Sequence, residues 1–331
     1  MIMKTYGLAL AMSIAALAVN SAAHAWDVTT SGPNFTGTAE VEPAGSMYVE
    51  PWLYYYLQPG QRSGTLAMPQ RFALGIGYMS ELDVYPNFLL NSTSAPAAAP
   101  ADPPGKPAIQ SDPGKSATHF GVGNFHLEFK HQFVVDHDTR RLLALPAISL
   151  KSILYVPTGN YRNLSPSALG ADQFGNGTWN EGLGLLIRKR FKPFELYFEF
   201  DDIVENPTRV GGGYTFNNGI MQTPFGHSQR MVDGNLLYYA GAFEHVLNDY
   251  WGLGYTAEFV GQSQSGRNLF FGRANAPAWS YLWAVPGFEF TWPTNVTWGA
   301  GVGLPVYSWQ YPTTITPLFT VTFYFGRPRG E

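Results

Sequence analysis

The chain contains no cysteine, which excludes a disulfide framework, thiolate zinc sites and a cysteine nucleophile. Charge is sparse as well. Asp, Glu, Lys and Arg make up 13% of the 331 residues, and a net charge of -4 offers no basic surplus to attract nucleic acid. Long apolar runs are missing beyond the N-terminus, so no later segment has the roughly 20 apolar residues that a membrane-crossing helix needs. Aromatic residues, by contrast, reach 15%. A chain this apolar without apolar blocks has to interleave its apolar and polar residues, as a membrane β-barrel does.

The N-terminus reads as an export signal. Lys4 precedes an apolar stretch from Leu8 to Val19, and Ala23-His24-Ala25 is the small-x-small pattern that a signal peptidase cuts after. Residues 1–25 are therefore expected to be a signal peptide, with the mature chain starting at Trp26. Nothing in the composition marks a boundary inside the remainder, which is read as one domain.

The strand pattern is clearest in Phe125 to Phe133, FHLEFKHQF. Phe125, Leu127, Phe129 and Phe133 fall on one side of an extended strand, and His126, Glu128, Lys130 and Gln132 on the other. The same alternation recurs about twelve times. Leu53, Tyr55 and Leu57 oppose Glu50, Trp52 and Tyr54; Phe72, Leu74 and Ile76 oppose Arg71; Leu82 and Val84 oppose Asp83. Further on, Leu150 and Leu154 oppose Lys151 and Tyr155, Ile187 opposes Arg188 and Arg190, and Leu196, Phe198 and Phe200 oppose Glu195, Tyr197, Glu199 and Asp201. Phe243 then opposes Glu244, Phe259 opposes Glu258, and Leu282, Phe288 and Phe290 oppose Tyr281, Trp283 and Glu289. Trp298 and Val302 oppose Gly299, Gly301 and Gly303, and a last strand carries Phe319, Val321, Phe323 and Phe325 on one face.

Connection lengths alternate too. Short turns near Ser80, Asp136, Lys192, Asp249 and Pro293 alternate with longer loops after Pro59, Ser92, Pro157, Glu205, Gln262 and Tyr307. Short periplasmic turns and longer extracellular loops are the rule for bacterial outer-membrane barrels, whose strand number is even. The fold expected is thus all-β, an antiparallel transmembrane β-barrel of about 12 strands over residues 45–325. Residues 26–44 would be an N-terminal segment in the periplasm or the lumen, and 326–331 a C-terminal extension.

A lysine or arginine facing lipid near the midplane costs about 2–4 kcal/mol, which assigns the polar faces to the lumen. The expected lumen-lining set is Glu50, Arg71, His126, Glu128, Lys130, Lys151, Tyr155, Arg188, Arg190, Glu195, Tyr197, Glu199, Glu244, Glu258, Tyr281, Trp283 and Glu289. Lys189 falls on the lipid side, close enough to a turn for its stem to reach the interface. Trp179, Trp279, Tyr307 and Trp309 are expected at an outer aromatic girdle, and Tyr250, Trp251, Trp292 and Tyr324 at a periplasmic one. Lumen positives come mostly from three successive strands and negatives from the strands that follow. Two uses are open: a salt-bridge network that fills the barrel, with Arg190 and Glu195 pairing across a turn, or hydrated charges whose transverse field favours cations.

Signatures of catalysis are weak. His131, Asp136, His137 and Asp138 could suggest a metal site, but Asp136 to Asp138 fall in a turn expected to be solvated. His126 has no nucleophile-bearing motif near it, and the glycines of GGGYTFNNG lack the Lys and strand-to-helix context of a phosphate loop. No enzyme activity, metal or cofactor is expected.

Three segments, GVGNFHLEFKHQF, LPAISLKSILYVPTGNYRN and TWNEGLGLLIRKRF, carry a resemblance in their order. They present a Gly-x-Gly-polar strand start, a strand ending in Pro157-Thr158-Gly159 and a Gly-rich strand with a basic end, followed by the glycine-rich penultimate strand through Gly303-Leu304-Pro305. This resembles the bacterial outer-membrane transporter family labelled for the meta-pathway of phenol degradation. Asn124 departs from the acidic residue of that pattern, and Gly326 to Glu331 runs past the terminal aromatic that the assembly machinery reads. The resemblance implies an outer-membrane channel for passive uptake of small organic, often aromatic, compounds. Outer-membrane lipid, the barrel-assembly machinery and a small organic solute would be its partners. The alternative is a structural or adhesive barrel with a closed lumen and partner-binding loops.

Overall fold

The computed structural model describes residues 33–57, 64–94, 116–136, 141–169, 171–212, 227–248, 252–275, 277–292 and 296–326. The signal-peptide region, His137, Asp138, Tyr250, Trp251, most of the GGGYTFNNG stretch and the last five residues of the expected C-terminal extension lie outside them.

Twelve antiparallel strands close into a barrel: β1 (Met47–Leu57), β2 (Gly64–Gly77), β3 in two pieces (Ser80–Tyr85 and Asn87–Ser94), β4 in two pieces (Ser116–Val122 and Phe125–Val134), β5 (Ala147–Val156), β6 (Asn180–Phe191), β7 (Phe194–Glu205), β8 (Leu236–Asn248), β9 (Leu253–Gln264), β10 (Trp279–Trp292), β11 (Val296–Trp309) and β12 (Thr316–Phe325). Each strand pairs with its sequence neighbours, and β1 also pairs with β12 through Tyr48 and Tyr324, which closes the ring. Closure removes the open edges that hydrocarbon cannot hydrogen-bond. Pro86, which has no N–H, breaks β3, but its carbonyl still accepts from the Gln70 amide at 2.9 Å. Among the described residues, the outer piece of β4 pairs with β3 and with no further strand. Its inward face is covered from the β5–β6 loop: Asn91 donates to the carbonyls of Ala171 and Gln173, and Phe174 lies where a Cβ on Gly121 would be.

The period-two pattern sets inside and outside throughout. Phe72, Phe129, Leu150, Phe198, Phe259, Phe288, Trp298 and Phe323 are all two-fifths to one-half exposed, while Glu81, Asp83, Lys130, Glu195, Glu244 and Glu258 are at most 2% exposed. The molecule is therefore inverted relative to a soluble protein, charged within and apolar on its wall, and it is a β-barrel of the outer membrane.

Trp179, Trp292, Tyr307 and Trp309 face outwards, each 46–52% exposed. Trp279 and Tyr324 do not. They share the inward parity of Tyr281 and Thr322, and both are buried, Trp279 against Gln264 and Tyr324 against Tyr48. Nearness to a strand end suggested a girdle for these two, and parity overrides it. Lys189 also departs from its expected interfacial position. It is 6% exposed and donates to Asp136 at 2.7 Å, while the Arg190 amide donates to the same carboxylate at 2.9 Å. Asp136 is consequently not solvated, because a lysine on the lipid side takes the nearest carboxylate as counter-ion and buries it.

Candidate functional site

The lumen is built around a strap, residues 33–46, that runs down its inside from mid-height to the start of β1. Its backbone is extended and irregular, so its N–H groups need partners. Carboxylates on the barrel wall supply them. Glu258 of β9 accepts the amides of Asn34 (2.8 Å), Phe35 (3.0 Å) and Thr36 (3.0 Å) as well as the Thr36 hydroxyl (3.0 Å). Glu199 of β7 accepts the Gly37 amide at 2.5 Å, and Glu81 of β3 accepts the Glu42 amide at 2.6 Å. Strap carbonyls are used as well: Lys130 donates to Thr38 at 3.4 Å, and Ser149 donates to Ala39.

Wall glycines make room for this contact. A Cβ on Gly75 would lie 2.0 Å from the Pro43 carbonyl, and one on Gly299 would lie 2.7 Å from the Asn34 side chain. The small residues on these lumen faces are thus a seat for the strap.

Below and beside the strap, charges interlock. Lys151 reaches Glu128 (3.0 Å), Glu199 (2.5 Å) and Asp201 (3.1 Å), and Lys130 reaches Glu81 at 2.7 Å. Arg71 meets Asp83 at 2.7 Å, Glu81 at 3.4 Å and Glu50 at 3.8 Å, with its guanidinium over the rings of Tyr48 and Tyr85. Arg188 donates to Glu195 at 2.7 Å and pairs with Glu40 of the strap, while Arg190 reaches Glu195 at 3.1 Å. Tyr197 donates to Glu195 (2.6 Å) and Glu244 (3.0 Å). Each of these lysines and arginines is met by at least one carboxylate, from another strand or from the strap, so the two signs mesh instead of facing each other across water. Among the described residues this is the filling arrangement, a network of paired charges.

On the extracellular side of the strap lies a cavity of about 270 Å³. Its floor is strap residues 33–38, and its walls include Trp52, Tyr85, His126, Tyr155 and Tyr238, with Glu128, Lys151 and Glu199 between them. Tyr85, His126 and Tyr155 form a stack, with ring centroids 4.7 and 4.2 Å apart and planes within 17°. Trp52 meets Tyr85 edge-on at 6.4 Å. A second set of rings fills the other side of the lumen: Trp279, Tyr281 and Trp283 run along β10 and continue into Tyr56, Phe35 and Tyr54.

Of the expected lumen residues, Glu50, Arg71, His126, Glu128, Lys130, Lys151, Tyr155 and Glu199 border the cavity. Glu258 lies under the strap, and Arg188, Arg190, Glu195, Tyr197 and Glu244 belong to the charge network near the periplasmic end. Tyr281 and Trp283 stand in the second ring set, and Glu289 is buried on β10. Alternation alone did not single out Tyr85 and Tyr238, or the strap residues Asn34, Phe35 and Glu40. Tyr85 and Tyr238 have the inward parity of Asp83 and Ala240, so the same alternation could have found them. The strap has no periodicity to read.

A closed, antiparallel barrel with an apolar outer wall has the architecture of outer-membrane β-barrels. The COG4313 outer membrane channel from Pseudomonas putida F1 is similar over 89% of this chain and 99% of its own, with a TM-score of 0.62 at 11% identity. The Ralstonia pickettii toluene transporter TbuX aligns over 86% of this chain and 90% of its own at 7% identity, with a TM-score of 0.41. The NanC porin aligns over 83% and 98% at 7% identity, with a TM-score of 0.43. No family model matches the chain, and no curated protein matches it in sequence. At 11% identity the likeness to the COG4313 channel shows a shared fold.

Proposed function

We propose that this barrel is an outer-membrane channel for passive movement of small organic molecules, flat aromatic ones among them. The observation that carries the reading is the cavity between strap and extracellular loops, where Trp52 and the edges of the stacked Tyr85, His126 and Tyr155 rings stand among hydrogen-bonding groups. Faces and edges of such rings hold a flat apolar solute, and the neighbouring carboxylates and amides hydrate its polar end. The chemistry is binding and release, with the strap as the barrier to the periplasm.

A closed lumen is the second reading, favoured by the strap's many bonds to the wall; the barrel would then serve through its loops. The two separate in planar bilayers and in uptake. Purified protein should give reproducible conductance that phenol reduces, and Trp52→Ala with Tyr155→Ala should remove the block. Cells with the protein should take up phenol faster than cells without it. A folded barrel that is silent in bilayers and changes no uptake would decide for the closed reading.

A further inference from the structure

The extracellular loops carry two short antiparallel pairs of their own, Thr208–Val210 with Gln229–Met231 and Arg267–Asn268 with Gly272–Arg273. In each of them an arginine stands directly opposite an arginine: Arg209 faces Arg230, and Arg267 faces Arg273. All four are exposed. Like charges placed directly opposite repel, and no ion pair to any of the four occurs among the described residues. The two hairpins are also tied together. Asn275 donates to the Arg230 carbonyl at 2.8 Å and accepts from the Val232 amide at 2.7 Å, and the Asn235 amide donates to the Arg267 carbonyl at 3.3 Å.

Nearby acids do not neutralise the group. Asp233 and Glu205 are 1% and 7% exposed and turn into the loop interior, where burial pushes the Asp233 carboxyl up. The result is four guanidinium groups on a protein whose net charge is negative.

Between Arg267 and Arg273 the chain presents Leu269, Phe270 and Phe271, which are 67%, 72% and 47% exposed. This apolar tip is rigidly built. Asn268, 1% exposed, donates to the carbonyls of Glu205 and Asp233 at 2.8 Å, and its Oδ1 accepts the amides of Phe270 and Phe271 at 3.0 Å. A held-open apolar tip flanked by arginines matches a ligand that is phosphate at one end and acyl chain at the other.

We infer that the paired arginines and the Leu269–Phe271 tip form a docking surface for the phosphorylated lipid of the outer leaflet, the guanidinium forks taking its phosphates and the tip its acyl boundary. The inference needs only the outer-membrane location and is independent of any transported solute. The outer leaflet supplies the ligand at every position around the barrel, and fixing a lipid there would hold the β7–β8 and β9–β10 loops in place.

The test uses the full chain in detergent, with bisphosphorylated lipid A binding followed by native mass spectrometry and the heat-dependent gel shift as the check on folding. Arg209→Gln, Arg230→Gln, Arg267→Gln and Arg273→Gln combined should weaken binding at least about tenfold, since each arginine near a charged lipid surface contributes measurably. Dephosphorylated lipid A should bind wild type correspondingly weakly, Phe270→Ser with Phe271→Ser should also lose affinity, and inorganic pyrophosphate should not compete. Should the fourfold variant fail to fold, Arg267→Gln with Arg273→Gln gives the same test on one hairpin. Unchanged binding in a folded arginine variant would overturn the inference. So would pyrophosphate binding as tightly as lipid A, which would make the surface a site for soluble anions.

Discussion

At the scale of single residues, the lumen behaves as a set of buried charges that must be satisfied. Lys151 is the sharpest case, with three carboxylates within 3.1 Å and 5% exposure. Removing one partner from a buried ion group is costly because the others remain charged and dry, by about 3–5 kcal/mol. Lys151→Met should therefore lower the temperature at which the barrel loses its heat-dependent gel shift. Lys151→Arg should cost less, since its charge stays even though its fork fits a site for a point charge poorly. Equal melting of wild type and Lys151→Met would mean that water enters freely and screens Glu128, Glu199 and Asp201. The inward placement of Lys151 could be read from the sequence, because Leu150 and Ser152 flank it in a strict alternation. Its three partners could not, since Glu128 lies on the adjoining β4 and Glu199 and Asp201 on β7, two strands away, and which of the inward charges come within reach depends on strand register, which no local pattern encodes.

At the scale of elements, the strands were legible and the strap was not. Each strand announces itself by period two, and even the departures, Trp279 and Tyr324, follow that period when it is applied strictly. Residues 33–46 have no period, and their fit is written in other elements: in Glu258, Glu199 and Glu81, which look like ordinary lumen charges, and in Gly75 and Gly299, which look like gaps. The strap is held mainly by its backbone, so its own side chains say little about where it lies. Glu258 is its principal anchor, with four hydrogen bonds to one carboxylate, and bonds to a charged group contribute roughly 1.5–3 kcal/mol each at most. Glu258→Ala should release the strap's N-terminal half and raise single-channel conductance several-fold, whereas Glu258→Gln, which still offers one carbonyl oxygen, should raise it less. Gly75→Val should disturb the other end of the strap, where a Cβ meets the Pro43 and Glu42 carbonyls at 2.0 and 2.4 Å. Identical conductance in wild type and Glu258→Ala would show that the strap is not the barrier.

At the scale of the whole molecule, two coverings lie in series along one axis. The strap crosses the lumen from mid-height towards the periplasm, and the β5–β6 loop folds over the inner face of the β3 and β4 extensions, where Thr93 donates to the Leu169 carbonyl at 3.3 Å and Asn91 reaches Ala171 and Gln173. Between them lies the ring-lined cavity. The covering that fits more tightly sets the resistance of the whole path. The strap is bonded to eight successive strands, β2 to β9, while the loop is held by β3 and β4 and by the β7–β8 loop, where Leu164 packs with Val210 and Met231 and Thr208 donates to the Gly177 carbonyl at 2.7 Å, so the strap, anchored to more of the wall, should dominate. Replacing residues 163–172 by a short Gly-Ser linker should then change conductance little in wild type but markedly in the Glu258→Ala background, where the lower barrier is already gone. Single-channel recordings of wild type, each single change and the combination form a closed cycle. Series barriers require the combined effect to exceed the sum of the separate ones, as it does when two constrictions limit one flow. A loop replacement that opens the wild-type barrel as far as Glu258→Ala does would place the barrier at the extracellular mouth and leave the strap as a structural brace between the walls.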